Sequence, residues 1–284
     1  MRHVVLGAGG VGGIIAAVLA RSGTAVLVIV LNPHHPPTIH VESKVLGTFE
    51  APVEVATSLD REVDVLWVTV KATQLEAALE SAPARFVKGT VIPLLNGIDH
   101  VEALREVYPV VTPGALGGEC ERVAPGRIVE PSGVLWVQLA GPFADAACAE
   151  LKAGGLNCSI RDDERLVLWQ KLTMLVPLAL STTAEEAPLG AIRDDPRKWA
   201  RLEACIDEIA AVANAQGIPV DAGAPKQGLS GLTPSFRTSM QKDRAAGRRL
   251  ELDHLVRPIL REGRLHGVPT PAIEALADQV RAFA

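Results

Sequence analysis

The hydrophobic period of this chain changes once, near residue 163. Up to that point, short β-branched and aliphatic runs alternate with stretches of helical period. Residues 3–6 read as a strand, and a helix follows near residues 11–22. The unbroken apolar run at 25–30 predicts a second strand covered on both faces. Residues 32–37 read as a loop. Central strands are predicted at 63–70 and 90–95. The first leads into a helix starting at 74–79; the second ends at Asn96-Gly97, before a helix near 100–107. Between residues 110 and 140, Arg127-Ile128-Val129 and Val134-Leu135-Trp136-Val137 are separated by Pro125-Gly126 and Pro131-Ser132-Gly133. That is the pattern of antiparallel strands at a sheet edge. A helix near 144–153 and a strand at 158–160 close this half.

From residue 163 the period is helical. Helices are predicted over roughly 163–183, 196–215, 236–246, 251–266 and 271–283, with stops at Gly217-Ile218-Pro219 and Gly267-Val268-Pro269. The fold class expected is α/β: an N-terminal doubly wound sheet over residues 1–162 and a C-terminal all-helical domain over 163–284. No internal repeat interrupts this order.

Composition narrows the function classes. With 284 residues, 48% hydrophobic and 21% charged, the chain is long and apolar enough for substantial cores. A net charge of −5 and a pI near 5.8 argue against nucleic acid or an anionic membrane as partner. Lys242, Arg244, Arg248 and Arg249 do gather, but with acidic residues between them. They read as a solvated face or a small-anion site before a nucleic-acid patch. The start lacks the pattern of a signal peptide. The most apolar stretch, 166–184, is broken by Gln170, Lys171, Pro177 and Ser181-Thr182-Thr183, so no membrane span is expected. Cys120, Cys148, Cys158 and Cys205 show no paired C-x-x-C spacing and are expected as reduced thiols in a cytoplasmic protein. The seven histidines have no metal-ligand spacing, and no metal is expected; His34-His35 fall in a loop before Pro36-Pro37.

The first candidate chemistry is Gly7-Ala8-Gly9-Gly10-Val11-Gly12, set between a β-branched run and an apolar helix. In a dinucleotide-binding unit the first glycine permits the tight turn. The second lets backbone approach a pyrophosphate, and the third lets helix and strand pack closely. The N–H groups opening the helix would face the diphosphate. A tight turn without ligand is the plainer alternative. Lys71 and Gln74 lie just past one predicted central strand and Asn96 just past the next, where an open α/β sheet places its ligand crevice. Alone, Asn96-Gly97 also reads as an ordinary turn.

Lys171 is the only formally charged side chain between Arg165 and Glu185. A helix apolar on nearly every side is buried, and burial penalises an ammonium, lowering its pKa toward the range of a general acid. The alternative is a lysine that reaches solvent along its own stem. Glu251 and Asp253 open a predicted helix, where carboxylates commonly serve the helix dipole. Ser239, near the start of the preceding helix, says nothing by itself.

Taken in order, these pieces resemble one family. The glycine fingerprint is followed by Lys71-Ala72-Thr73-Gln74, Leu95-Asn96-Gly97, Arg122-Val123-Ala124-Pro125-Gly126 and Trp169-Gln170-Lys171-Leu172. Then come Ser239-Met240-Gln241-Lys242-Asp243 and Gly247-Arg248-Arg249-Leu250-Glu251-Leu252-Asp253. The whole resembles the ketopantoate reductase (2-dehydropantoate 2-reductase) family of pantothenate biosynthesis. The resemblance implies a Rossmann domain, a helical domain and an active site in the cleft between them. It also implies NADPH-dependent reduction of a 2-oxo acid to a 2-hydroxy acid. By position it implies Lys171 as general acid and Asn96 as a contact to cofactor and substrate. Lys71 and Glu251 would be cofactor contacts and Ser239 a substrate contact.

Two positions depart from the family pattern. Asparagines usual four and eight residues after the lysine are replaced by Leu175 and Ala179, which points to a substrate with a less polar tail than ketopantoate. Where strand two commonly ends in an arginine for the 2′-phosphate, Leu31 and Asn32 stand. The missing acid favours NADP(H) without excluding NAD(H), with Asn32, His34, His35 or Lys71 as phosphate partners. Four readings result: a reductase of a 2-oxo acid or related carbonyl, the authentic 2-dehydropantoate reductase, an imine-reducing variant, and a dinucleotide-binding protein without catalysis. Small-molecule partners are expected, and a homodimer is left open.

Overall fold

The computed structural model describes residues 1–282. By contact it divides into two compact units: residues 1–95 with 100–167, and residues 96–99 with the chain from 168 onward. The first runs β1 (His3–Leu6), α1 (Gly10–Arg21), β2 (Val26–Ile29), β3 (Thr38–Ser43), β4 (Gly47–Pro52), β5 (Glu54–Ala56), β6 (Val63–Val68), α2 (Leu75–Leu79) and β7 (Val87–Pro93). It continues through α3 (His100–Arg105), β8 (Gly114–Gly118), β9 (Glu121–Ala124), β10 (Arg127–Glu130), β11 (Leu135–Ala140), α4 (Ala144–Ala153) and β12 (Asn157–Arg161).

Five of these strands form one parallel sheet in the order β5-β2-β1-β6-β7. Counted along the chain, that is 3-2-1-4-5, the Rossmann order, with its reversal between β1 and β6. Every residue of β1 and β2 is buried, which is why both strands read as unbroken apolar runs. Ile14, Ile15, Val18 and Leu19 of α1 are fully buried in the same core as Val5, Val28, Val65 and Trp67. Each such aliphatic side chain contributes roughly 1.5–3 kcal/mol.

The strands of residues 110–140 are not the edge of that sheet. β10 pairs parallel with β3 and antiparallel with β9 in a four-stranded sheet, β4-β3-β10-β9. β11 lies between β8 and β12 in a three-stranded one. The physical reason lies in residues 38–56, which the hydrophobic pattern left without elements. β3 alternates Ile39 and Val41 inward, and with Ile128 they form an apolar face in the α1 core. Gly13 admits Ile128: a Cβ there would stand 2.5 Å from the isoleucine Cδ1.

The cysteine expectation is also corrected. Cys148 of α4 and Cys158 of β12 form a disulfide, while Cys120 and Cys205 are free. A helix packed back on the following strand brings the two thiols together, a juxtaposition that spacing along the chain does not reveal.

The second unit holds α5 (Glu164–Ala184), whose first turn counts with the first unit, then α6 (Leu189–Arg193), α7 (Pro196–Ala215) and α8 (Gly223–Ser230). α9 (Ser239–Ala245), α10 (Leu252–Leu265) and α11 (Pro271–Arg281) follow. α6 and α8 are too short to register as periodic stretches, and α9 is shorter than expected. Residue 283, predicted to end α11, lies outside the described residues. α7 starts where Asp195 accepts from the N–H groups of Arg197 and Lys198 and Pro196 takes the first helical position. Among the described residues α5 alone is long and apolar enough to cross a membrane by length and composition. However, 72% of its most apolar window is buried inside the fold, as in a core helix.

Candidate active site

The glycine turn follows β1 directly. Gly7 has φ +99°, which only glycine adopts without strain, and its N–H donates to Ile29. The other glycines answer to different neighbours. A Cβ on Gly12 would stand 1.9 Å from the Gly7 carbonyl and 2.4 Å from Thr69 Oγ1, and one on Gly10 would stand 2.0 Å from the Cys120 carbonyl. Both glycines are therefore demanded by the fold. Gly9 is different: a Cβ there would meet no protein atom within 4 Å. The space beside this residue is open. Gly9 also occupies the N-cap of α1 without a side-chain cap, and the first turn has no acid. Ala8 is buried, while Gly10 and Val11, like Gly9, are half-buried. The opening N–H groups of α1 thus form an uncapped positive end beside an open cradle, which fits the diphosphate of a dinucleotide.

Thr69 holds this turn by donating to the carbonyls of Leu6 and Gly7. Two residues on, Lys71 is half-buried at the start of a 3₁₀ turn, Ala72–Gln74; Gln74, its last residue, is exposed. Sequence reasoning missed the lining from β9: Arg122 reaches the Ala8 carbonyl at 3.5 Å, and the Cys120 backbone closes over Gly10. Burial pushes the Cys120 thiol up to about 12, so this cysteine is inert. The Arg122 motif was visible in the chain, but its docking onto a turn over a hundred residues earlier was not. After β2, Leu31 is almost fully exposed and Asn32 Oδ1 accepts from the His34 N–H. His35 is buried, with Nδ1 against the Pro36 carbonyl.

The second unit gathers three of the candidate residues. Lys171 lies on α5 between Trp169, Leu172 and Thr173, all buried; it is itself half-buried. Desolvation brings its pKa down from 10.5 to about 8, and the nearby Glu251 carboxylate opposes that shift. Glu251 is buried at the N-cap of α10, and its Oε2 accepts from Asn96 Nδ2 at 3.3 Å. The 96–99 turn is fixed on α10 in two ways. Gly97, at φ +91°, would place a Cβ 2.7 Å from the His254 carbonyl, so the approach requires glycine. Asp99 then takes two bonds from Arg261, at 2.9 and 3.2 Å. Asn96-Gly97 is a turn, and the turn delivers an amide to Glu251. Ser239, the first residue of α9, is exposed. Leu175 and Ala179, one and two turns beyond Lys171 on α5, are half-buried and buried.

A Rossmann-ordered sheet with an open glycine cradle, followed by a helical unit with a desolvated lysine, defines a two-unit nicotinamide-type oxidoreductase. Comparison with known proteins makes this specific. Residues 3–140 match the family model "Ketopantoate reductase PanE/ApbA" and residues 163–284 match "Ketopantoate reductase PanE/ApbA C terminal". The chain belongs to the ketopantoate reductase family and is an oxidoreductase. It is 28% identical to a 2-dehydropantoate 2-reductase of Caulobacter vibrioides, over 94% of each chain. It is 29% identical to one of Mycobacterium tuberculosis, over 96% of this chain and 94% of that one. The fold is similar to the 2-dehydropantoate 2-reductase structure from Geobacter metallireducens, with TM-score 0.90, 23% identity and full coverage of both chains. It is also similar to D-mandelate dehydrogenase with NADH and anilino(oxo)acetate, with TM-score 0.87 and 23% identity, covering 100% and 98%.

Proposed function

We propose that this protein is an NADPH-dependent reductase of 2-oxo acids whose tails are less polar than that of ketopantoate, with Lys171 as general acid. One observation carries the reading: a single ammonium in an apolar helix, its pKa brought to about 8, beside Glu251. A reduced nicotinamide held at the glycine turn would supply the hydride. Gly9 and the N–H groups opening α1 would hold its diphosphate, with Lys71 and Gln74 as further contacts. At pH 7 a group of pKa near 8 is about nine-tenths protonated, so Lys171 has a proton to give. It would pass that proton to the carbonyl oxygen as negative charge grows there, leaving the hydroxyl of a 2-hydroxy acid and a neutral amine that takes a proton from water.

Glu251 has two tasks in this scheme. Its charge holds the lysine pKa higher than burial alone would leave it, and its Oε2 accepts from the Asn96 amide. Ser239 would add a substrate contact. Leu175 and Ala179 offer no amide to a hydroxylated tail, and a site without those groups discriminates toward apolar ones. The missing acid after β2 supports NADP(H) over NAD(H). A homodimer completes the reading; a solved relative from Staphylococcus aureus is described as dimeric.

A second reading, authentic 2-dehydropantoate reduction, is favoured by the near full-length relatives of that name. The experiment is NADPH oxidation with ketopantoate, 2-oxoisovalerate and benzoylformate, comparing wild type with Lys171→Ala. Turnover greatest with the apolar tails, and lower by roughly 10²–10⁴-fold in the variant, is expected. Turnover confined to ketopantoate supports the second reading. A variant as active as wild type removes Lys171 from the chemistry, and NADPH binding without turnover of any substrate shows a non-catalytic dinucleotide binder.

A further inference from the structure

The groups assigned above to reduction are not all held in the same way. Lys171 belongs to α5 and Glu251 stands at the N-cap of α10, but Asn96 lies in the turn 96–99, outside any helix or strand. Its side chain has one bond to Glu251, at 3.3 Å. Hydrogen bonds of this kind are commonly about 2.9–3.0 Å long, so this one orders the amide only weakly. The direction of Asn96 depends on how its turn is fastened.

The fastening lies further along the turn. Arg261 of α10 donates from both terminal nitrogens to Asp99, at 2.9 and 3.2 Å, while its Nε donates to Glu262 at 2.9 Å. Glu262 thereby steadies the guanidinium edge that Asp99 does not use. Two parallel bonds from a planar fork fix direction as well as distance, which a lysine at this position could not do. His254 precedes Arg261 by seven residues, about two turns, and so shares its face of α10. Its carbonyl is the atom that admits only glycine at position 97. Asn96 is thus one residue from one hold and three from the other.

Asp99 and Arg261 are both about half exposed. Such a pair adds little to the stability of a whole domain. A bias of the same size acting on one short turn changes the ratio of its ordered and disordered forms about fivefold. The pair is therefore suited to setting a position rather than to holding the fold together.

We propose that Arg261 is a positioning residue for carbonyl reduction. Through its two bonds to Asp99 it holds the 96–99 turn so that the Asn96 amide is presented to Glu251 and to the substrate. The inference rests on the reduction reading above, in which Asn96 contacts the substrate.

The test is steady-state NADPH oxidation by the full chain, with whichever of ketopantoate, 2-oxoisovalerate and benzoylformate wild type reduces fastest. Arg261→Ala is expected to lower kcat/KM about fivefold while melting within about 4 °C of wild type. Asp99→Asn should do the same and serves if Arg261→Ala fails to fold. The reversed pair, Asp99→Arg with Arg261→Asp, should recover most of the loss. In an Asn96→Ala background, Arg261→Ala should lower kcat/KM no further, because the group it positions is gone. The midpoint of the pH profile should stay in place, since the charge acting on Lys171 is that of Glu251.

Full activity in Arg261→Ala beside a loss in Asn96→Ala overturns the proposal and leaves the reduction reading standing. So does a loss that persists in the Asn96→Ala background, or a reversed pair that recovers nothing. A shifted pH midpoint would show Arg261 acting through α10 and Glu251, and overturns it as well. Full activity in Asn96→Ala, or a wild type that reduces none of the three acids, removes Asn96 from the reduction reading and the proposal with it.

Discussion

The two units carry their candidate chemistry in different materials. In the first the candidate groups are main-chain N–H donors at an uncapped α1, with open space beside Gly9. In the second the candidate group is one side chain, Lys171, whose pKa is lowered by burial and raised by Glu251. A backbone site depends on which atoms are missing, whereas a side-chain site depends on what surrounds the atom that is present. The first should therefore fail sharply when bulk is added, and the second should respond by degrees to pH and neighbouring charge.

The largest effect is expected within the glycine turn. Gly12→Val puts side-chain atoms where the Gly7 carbonyl and Thr69 hydroxyl already stand, so soluble yield and melting temperature should collapse. Gly9→Ala, with no protein atom in the way, should melt as wild type does, yet lose most of the thermal stabilisation that NADPH gives. Equal melting loss in both variants would mean that Gly9 serves packing only.

A smaller effect belongs to the α5 face. Leu175→Asn, at a half-buried position, should cut kcat/KM for an apolar-tailed 2-oxo acid about tenfold relative to ketopantoate. An unchanged ratio would take Leu175 out of substrate selection. The smallest effect on function is expected at the disulfide. Cys148→Ser removes a cross-link over a sequence separation of 10 and should cost about 2–3 kcal/mol in unfolding with little change in turnover. Thiol titration of the denatured, unreduced chain should find two cysteines, Cys120 and Cys205; four would refute the pairing.

The legibility of each unit follows from the same contrast. β1, β2 and α1 were plain because strands buried on both faces and a fully buried helix leave unbroken apolar runs. Lys171 was conspicuous as the one charge in an apolar stretch, but whether it was desolvated or reached solvent depended on neighbours that local sequence does not name. The fold leaves it half-buried on α5, with desolvation lowering its pKa and Glu251 opposing that shift. The small sheets were missed because β4 is largely exposed and carries little pattern, and their pairing joins residues 38–52 to 121–130. Likewise, the role of Asn96-Gly97 rests on His254, Arg261 and Glu251, which lie more than 150 residues further along the chain.

The pH dependence of carbonyl reduction, measured in wild type and in Glu251→Gln, tests the role of Lys171 most directly. Reduction needs the ammonium form, so kcat/KM should be level below the lysine pKa and fall as pH rises through about 8. Glu251 raises that pKa, so removing its charge should move the fall to lower pH. A wild-type profile that stays level to pH 10, or a midpoint that Glu251→Gln leaves in place, would contradict Lys171 as the proton donor.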